Sequence, residues 1–321
     1  MSAAFGTQDP DDNVRTDANL EHTGASSLQL VSRATYIKEA ALKNLFLLCA
    51  FVAVMGVLLI FLFVGWRGWP IFASVGPVAF MTGGEWNPTA GIFGILPLVY
   101  GSVIVMAGAL VIGTPLAVGT AIFLSEVASP NVRAVVRPAV ELLAGIPSVI
   151  FGFFGLIILR PVVANLSGGL GFGAVTGWFI LAIMIVPTIA TLSEDALRSI
   201  SPGIREASYA MGATTWQTIY KVLVPAAKIG IIDAIILGMG RAIGETMAVL
   251  MVVGNAPVIP ESISAPVATL TTQIVMDMPY AAGDHRTALF GMAIILFVVS
   301  MALVAVVRLL SRLQSSVEAS R

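Results

Sequence analysis

Six long apolar stretches, separated by polar segments, account for most of the chain. The first, from Asn44 to Trp66, contains no charged residue, and it is long enough for a helix to cross a bilayer core, which needs about 20 apolar residues. The pattern therefore predicts an all-α polytopic membrane protein with about six transmembrane helices. The stretches cover roughly residues 44–66, 94–121, 137–159, 175–195, 229–254 and 287–308.

The polar segments divide the rest of the chain. Residues 1–43 are polar and carry several acidic residues before any apolar stretch, so we expect a disordered N-terminal tail. The acidic start and the length of the first stretch argue against a cleavable signal peptide. Residues 67–93 are predicted to be an outer segment, residues 94–310 the transmembrane core, and residues 311–321 a C-terminal tail.

Composition agrees with a membrane protein. Hydrophobic residues make up 57% of the chain and charged residues 11%, against about 25% charged residues in soluble domains. The net charge of −1 gives no reason to expect nucleic-acid binding. With Cys49 as its one cysteine, the chain can form no internal disulfide, and we predict no metal site.

The distribution of lysine and arginine predicts the orientation. If the N-terminus is inside, all of these residues fall in cytoplasmic segments except Arg67, Arg160, Arg286 and the intramembrane Arg241. Positive charge is enriched in the cytoplasmic loops of membrane proteins. Both termini are therefore predicted to be cytoplasmic, together with the loop at residues 196–228.

This loop is unusually long and patterned. It reads Arg205-Glu-Ala-Ser-Tyr-Ala-Met-Gly212, followed after nine residues by Val222-Leu-Val-Pro225. The residues from Glu206 to Met211 favour a helix, Gly212 can end it, and Pro225 suits the first turn of the next helix. We predict a short helix at the membrane face that docks a soluble partner, with an ordinary amphipathic helix as the alternative.

The fifth stretch contains two ionisable residues in the sequence Gly240-Arg-Ala-Ile-Gly-Glu-Thr-Met-Ala248. A central arginine costs about 2.5–3.5 kcal/mol on insertion scales, so it indicates a function. In a continuous helix, Glu245 lies one turn beyond Arg241, on the same face and within pairing distance. Gly240 and Gly244 form a Gly-x-x-x-Gly pair, which allows a partner helix to approach closely.

Two interpretations of this pair are open. In the first, Arg241 and Glu245 form a buried ion pair that locks helix packing. In the second, which we favour, Arg241 offers a planar fork of donors to a phosphate or sulfate oxyanion. Glu245 then holds the guanidinium when the anion is absent and repels the anion afterwards. Asp233, two turns earlier, is predicted to be an interfacial charge.

The third stretch contains the segment Glu141-Leu-Leu-Ala-Gly-Ile-Pro-Ser-Val-Ile-Phe-Gly152. A carboxylate in the first turn of a helix suits the helix dipole, and we predict this role for Glu141. Gly145 and Pro147 predict a kink with a close helix contact, and Ser148 is a candidate for lining a path.

The loop motif resembles the EAA loop of ABC importer permeases, which reads Glu-Ala-Ala, three residues, Gly, nine residues and Ile-x-Leu-Pro. Glu206, Ala207, Gly212 and Pro225 match this pattern, Ser208 replaces the second alanine, and two valines replace the isoleucine and leucine.

Further stretches resemble the phosphate branch of these permeases. They are Glu141–Gly152 and Gly240–Ala248, and the likeness runs from about Trp86 to Leu310. The segment Thr269–Ile274, followed by Thr287–Phe290, is similar to the PstC type more than to its PstA-type partner.

The resemblance implies a MetI-like ABC importer permease fold and a permease subunit of an ATP-driven inorganic phosphate importer in the bacterial cytoplasmic (inner) membrane. It implies that Glu206, Ala207 and Gly212 couple to a separate ATPase, and that Arg241 and Glu245 lie on the substrate path. The implied partners are a PstA-like second permease subunit, two copies of a PstB-like ATPase and a PstS-like extracytoplasmic phosphate-binding protein, besides membrane lipid. No cofactor is expected in this chain, and ATP and Mg²⁺ are expected on the ATPase.

The sequence contains no Gly-x-x-x-x-Gly-Lys-[Ser/Thr] loop and no nucleophile–base pattern, so we predict a non-catalytic subunit that receives its energy from a partner. Phosphonate, sulfate or molybdate are alternative cargoes. An ion-coupled secondary transporter, with Arg241 and Glu245 as a relay, or a membrane sensor are alternatives of a different class.

Overall fold

The computed structural model describes the backbone of residues 33–319 and the side chains of residues 41–309. The chain separates into two compact units, Met1–Phe61 and Leu62–Arg321. The described part of the first unit is the beginning of one long helix, α1 (Arg33–Ser74). This helix begins well before the predicted Asn44, whereas the rest of the predicted N-terminal tail lies outside the described residues.

The second unit contains the remainder of α1 and a series of shorter elements. In chain order they are α2 (Pro77–Thr82), β1 (Trp86–Asn87), β2 (Ile92–Phe93), α3 (Leu96–Ile122), α4 (Pro130–Gly145), α5 (Ser148–Phe154), α6 (Arg160–Ser167), α7 (Ala174–Arg198), α8 (Pro202–Ala210), α9 (Thr215–Thr218), α10 (Val224–Ala226), α11 (Lys228–Gly244), α12 (Met247–Val252), α13 (Leu270–Asp277) and α14 (Gly283–Ala319). Single turns of π-helix extend α3 over Phe123–Val127, join α5 to α6 over Gly155–Leu159 and join α9 to α10 over Ile219–Leu223.

Within the described residues, 5 helical segments are long and apolar enough to cross a membrane, and up to 6 if a pair of helices bent by 69° counts as one span. The segments are Ala41–Ser74, Leu96–Val127, Ser148–Ser167, Ala174–Arg198 and Gly283–Leu309, and the bent pair is Thr215–Ala226 with Lys228–Gly244. The predicted all-α polytopic architecture is confirmed.

The third and fifth predicted spans are each broken. Residues 137–159 do not form one helix, because α4 ends at Gly145 and Pro147 precedes α5, where proline disfavours a helical conformation of the residue before it. Glu141 therefore lies near the end of α4, and the prediction that it opens a membrane span in a first helical turn is wrong. Residues 229–254 are likewise interrupted after Gly244.

Helix α7 is the centre of the second unit. It packs most extensively against α3 and next against α11. A Cβ atom added to Gly108 of α3 would collide with the Trp178 ring, and one added to Gly238 of α11 would lie 2.5 Å from Ile189. Small residues allow membrane helices to approach this closely. The three helices together form the apolar core that supports the candidate sites.

A small hairpin lies in the predicted outer segment 67–93. β1 pairs antiparallel with β2, and Trp86 lies opposite Phe93. The Trp86 Nε1 atom donates to Asp277 Oδ2 at 3.0 Å, which links the hairpin to the end of α13. The hairpin, α13 and the beginning of α14 share an apolar cluster that includes Leu289.

Candidate functional site

The helix predicted in the loop at residues 196–228 is α8, and it ends where the motif predicts. Gly212 follows it with a φ of +79°, a left-handed conformation that glycine adopts at little cost. Its N–H donates to the carbonyl of Tyr209 at 2.9 Å, and the N–H of Ala213 donates to that of Ser208 at 3.2 Å. These bonds satisfy carbonyls at the helix end, so the predicted role of Gly212 in ending the helix is confirmed.

A second helical segment completes the loop. It begins with a capping box, in which Thr214 Oγ1 accepts from the N–H of Gln217 and the Gln217 side chain accepts from the N–H of Thr214. The hydroxyls of Ser208 and Thr218 lie 2.9 Å apart and join the two helical parts. Pro225 lies in α10, immediately before the 69° bend into α11.

Arg205 attaches the loop to the end of the α3 span. Its Nη2 and Nε atoms donate to the Glu126 carboxylate at 2.9 and 3.3 Å, and its donors also reach the carbonyls of Ile200 and Leu197. The Glu126 side chain is 8% exposed, so its carboxylate is largely shielded from water. Sequence reasoning missed it because no local spacing relates residues 79 positions apart.

Glu206 and Ala207 lie on α8 and are exposed. Large apolar side chains of the same loop are also exposed, with Met211 at 88%, Tyr220 at 71% and Trp216 at 67%. An exposed apolar patch of this kind marks a surface that binds another protein or a membrane. The coupling role of Glu206, Ala207 and Gly212 stays a prediction, for which this loop provides a suitable surface.

A network of charges joins α4 to α7. Arg137 contacts Glu141 at 2.9 Å, Glu194 at 3.4 Å and Asp195 at 3.3 Å, and Arg198 contacts Glu194 at 3.4 Å. The Glu194 side chain is fully buried. The hydrogen bond to Glu141, together with the negative charges of the two α7 carboxylates, raises the pKa of the Arg137 guanidinium above its ordinary value, although partial burial opposes the shift. Glu141 is thus part of an ion-pair network.

Arg241 lies in the last turn of α11 and is partly buried. Helix α11 ends at Gly244, and Glu245 follows it with an extended backbone, at φ −70° and ψ 128°. The expectation that Glu245 continues the helix on the same face as Arg241 is therefore wrong. Among the described residues, no carboxylate lies within the 4.0 Å ion-pair distance of the Arg241 guanidinium.

The carboxylate of Glu245 instead turns toward the next helix. Its Oε1 atom accepts from the N–H of Ala248 at 3.2 Å, which caps the first turn of α12 as acidic side chains commonly do. The Glu245 carbonyl accepts from Thr271 Oγ1 at 3.1 Å. A cavity of about 10 Å³ beside this contact is lined in part by Ser102, Glu245 and Thr269. Sequence reasoning missed these threonines as neighbours of Glu245.

The end of α11 faces open space on the side of its glycines. A Cβ atom added to Gly240 or Gly244 would meet no atom within 4 Å among the described residues. The close helix contact predicted from the Gly-x-x-x-Gly pair is therefore not made within the described part of the chain.

The chemistry available at this position is that of a guanidinium group. Arg241 presents donors in a planar fork that matches the oxygen atoms of an oxyanion. Over the residues whose side chains are described, no cluster of three or more His, Cys, Asp or Glu residues could hold a metal ion.

The chain is similar to known transport proteins over most of its length. Residues 113–316 match the family described as "Binding-protein-dependent transport system inner membrane component". The chain is 39% identical to the "Probable ABC transporter permease protein YqgH" of Bacillus subtilis (strain 168), over 91% of this chain and 97% of that protein.

A second relative is the "Phosphate transport system permease protein PstC" of Mesorhizobium japonicum. It is 36% identical over 80% of this chain and 84% of its own length. Among solved structures, a bacterial ABC transporter involved in the import of the acidic polysaccharide alginate matches with a TM-score of 0.60 at 17% identity, over 86% of this chain and 98% of that one. This likeness shows a shared fold and, together with the family match, confirms the predicted ABC importer permease fold.

The family match covers more than half of the chain and includes both the loop of Glu206 and the segment of Arg241. The chain therefore belongs to the inner membrane components of binding-protein-dependent transport systems.

Proposed function

We propose that this chain is one permease subunit of an ATP-driven importer of inorganic phosphate, in which it forms half of the translocation path. The observation that carries this proposal is the similarity to phosphate transport permeases over most of the chain, at 36% identity over 278 residues in one case. The residue chemistry is compatible with it, since the intramembrane Arg241 offers oxyanion-binding donors and has no carboxylate at ion-pair distance in the described part of the chain.

In this proposal, Arg241 contacts phosphate transiently as the anion crosses the membrane. The guanidinium lies at the carbonyl end of α11, where a positive charge suits the helix dipole, so it is held without a neutralising partner. Glu245 follows at the break between α11 and α12, and its negative charge shortens the residence of the anion. The pair thus combines one attracting and one repelling group within a few residues.

We further propose that energy enters through α8. Its exposed Glu206 and Ala207 and the adjoining apolar patch dock on a PstB-like ATPase, which binds ATP and Mg²⁺ and is present in two copies. Gly212 sets the end of the docking helix. A PstA-like subunit supplies the other half of the path, and a PstS-like binding protein delivers phosphate from outside. Both termini and the docking loop are cytoplasmic, as the distribution of positive charge indicates.

The test is radiolabelled phosphate uptake in cells whose own importer is deleted and which carry the operon of this protein. The wild type, Arg241→Gln and the control Arg67→Gln are compared at matched membrane levels and with the ATPase still bound. Arg67 suits the control because it lies in a predicted outer segment, away from the fifth span. Its guanidinium lies beside the Phe63 ring. We expect uptake by the wild type and the control, and loss of uptake with Arg241→Gln.

Normal uptake by Arg241→Gln would contradict the role of Arg241 on the path. Absence of phosphate uptake with the wild-type operon, together with uptake of sulfate, phosphonate or molybdate, would contradict phosphate as the cargo.

A further inference from the structure

The end of the helix that carries Arg241 is held by one side chain from a distant segment. Thr271 lies at the beginning of α13 and is buried, and its Oγ1 atom donates to the carbonyl of Glu245 at 3.1 Å. The last carbonyls of a helix have no partner within that helix. The backbone turns away from the helix at Glu245. The Thr271 hydroxyl therefore supplies the Glu245 carbonyl with the hydrogen bond that a continuing helix would have provided.

Thr271 is itself part of a network of hydroxyl hydrogen bonds. Its hydroxyl lies 3.0 Å from that of Thr269, and Thr269 forms a capping box with Thr272 at the start of α13. Both threonines of this box are buried. Since these hydroxyls are shielded from water and bonded to one another, the position of Thr271 is determined by several contacts at once.

The beginning of α13 is also attached to α3. The Ser102 hydroxyl accepts from the N–H of Leu270 at 2.9 Å and donates to the carbonyl of Leu98 at 2.8 Å. Next to it, Gly101 lies so close to the Ala268 carbonyl that an added Cβ atom would collide with it. The hydrogen bond from Thr271 thus connects the residue just beyond α11 to α3, one of the helices of the core.

We propose that Thr271 is a positioning residue for the anion site of Arg241. By holding the Glu245 carbonyl, it fixes the last turn of α11 and with it the direction from which the guanidinium meets the anion. This inference rests on the proposed function of Arg241, but the hydrogen bond itself can be tested without transport. It adds Thr271, a residue of α13, to a path otherwise assigned to the fifth span.

The experiment compares Thr271→Val, which keeps the shape and removes the hydroxyl, with Thr271→Ser, which keeps the hydroxyl. Thr191→Val is the matched control, because within the described part of the chain the partly buried Thr191 hydroxyl bonds only the carbonyls of Pro187 and Thr188 in its own helix. All variants are assembled with the second permease subunit, the ATPase and the binding protein, at matched membrane levels.

The first measurement follows the end of α11 directly. The chain has a single cysteine, Cys49, so a Cys49→Ser background with Gly244→Cys carries one reporter thiol, at a position with open space for a side chain. We expect Thr271→Val to raise the rate at which a methanethiosulfonate reagent labels this thiol by about fivefold, the typical effect of losing one hydrogen bond. Thr271→Ser and Thr191→Val are expected to leave the rate within about twofold of the parent.

The second measurement is phosphate uptake. We expect Thr271→Val to lower the maximal rate by about fivefold, without a change in the concentration for half-maximal uptake, because the binding protein captures phosphate first. Thr271→Ser is expected to transport at the parent rate because it keeps the hydroxyl. If Thr271 acted through packing alone, keeping the hydroxyl would not be enough to preserve the rate.

Two outcomes separate this inference from the proposed function. If Arg241→Gln abolishes uptake but Thr271→Val changes neither labelling nor uptake, the positioning role of Thr271 is overturned and the proposed function stands. If Thr271→Val raises labelling while Thr271→Val and Arg241→Gln both transport normally, the hydrogen bond is supported and the role of Arg241 on the path is overturned.

Discussion

Arg137 and Arg241 are both partly buried arginines on helices of this chain, yet their surroundings are opposite. Arg137 contacts three carboxylates, of which Glu194 is fully buried. Arg241 has no carboxylate at ion-pair distance among the described residues, although Glu245 is only four positions away.

The difference lies in how the backbone continues after each arginine. In α4, the helix runs on through Glu141 and places it one turn beyond Arg137, within pairing distance. After Arg241 the helix ends, and the Glu245 carboxylate caps the next helix instead. A neutralised arginine stabilises the fold, whereas an arginine without a partner in an apolar span retains its capacity to bind an anion.

The largest effect on stability is expected at the anchor of the loop. Arg205→Gln removes the cation that pairs with the shielded Glu126 carboxylate, and we expect it to lower the free energy of unfolding by about 3 kcal/mol. Thermal unfolding of the detergent-purified complex measures the loss. The double variant Arg205→Gln with Glu126→Gln is expected to lose less than Arg205→Gln alone, and an equal or larger loss would contradict this account of the pair.

The next effect concerns the neutralised arginine. Arg137→Gln leaves the buried Glu194 with Arg198 as its remaining cation, and we expect a loss of about 2 kcal/mol. The matched variant Glu141→Gln removes a partner whose side chain is 51% exposed, for which we expect less than about 0.5 kcal/mol. Unfolding experiments measure both variants. Equal losses of unfolding free energy for Arg137→Gln and Glu141→Gln would contradict the view that the buried Glu194 is the main partner of Arg137.

A smaller effect is expected at the end of α8. Gly212→Ala places a side chain in the left-handed region at a cost of about 1 kcal/mol, whereas Gly212→Asn is better tolerated there. We expect Gly212→Ala to reduce co-purification of the ATPase about fivefold while membrane insertion is unchanged. Full ATPase binding by Gly212→Ala would argue against the docking role of α8.

At the break after α11, the charge of Glu245 can be separated from its capping role. Glu245→Ala removes the acceptor for the Ala248 N–H and is expected to cost about 1 kcal/mol. Glu245→Gln keeps an acceptor oxygen, so its stability should match the wild type within about 0.3 kcal/mol while phosphate uptake changes. Equal stability of the two variants in thermal unfolding would show that the cap contributes nothing.

A small effect on stability is also expected for the loss of Arg241 itself. Since the described residues contain no carboxylate partner for it, Arg241→Gln should change the free energy of unfolding by less than about 0.5 kcal/mol. Thermal unfolding alongside Arg137→Gln provides the comparison. A loss as large as that of Arg137→Gln would mean that Arg241 is a structural residue.

Local sequence patterns predicted the membrane fold and the helix of the loop at residues 196–228. Uncharged stretches long enough to span a bilayer predicted the helical membrane fold, because unpaired backbone groups cannot be left in lipid. The end of the short helix before Gly212 was also predictable, since a left-handed residue after a helix favours glycine whatever its surroundings. The spacing of Glu206, Ala207, Gly212 and Pro225 carried the resemblance to the permease family, which the family match confirms.

Long-range packing controlled the remaining features. The break between Gly244 and Met247 follows no helix-breaking proline, and it is held by Thr271, a residue 26 positions away from Glu245. The pairs Arg205–Glu126 and Arg137–Glu194 likewise join residues 79 and 57 positions apart. Helical periodicity relates only residues three or four positions apart. The partners that Arg205 and Arg137 find on other helices are therefore decided by how those helices pack.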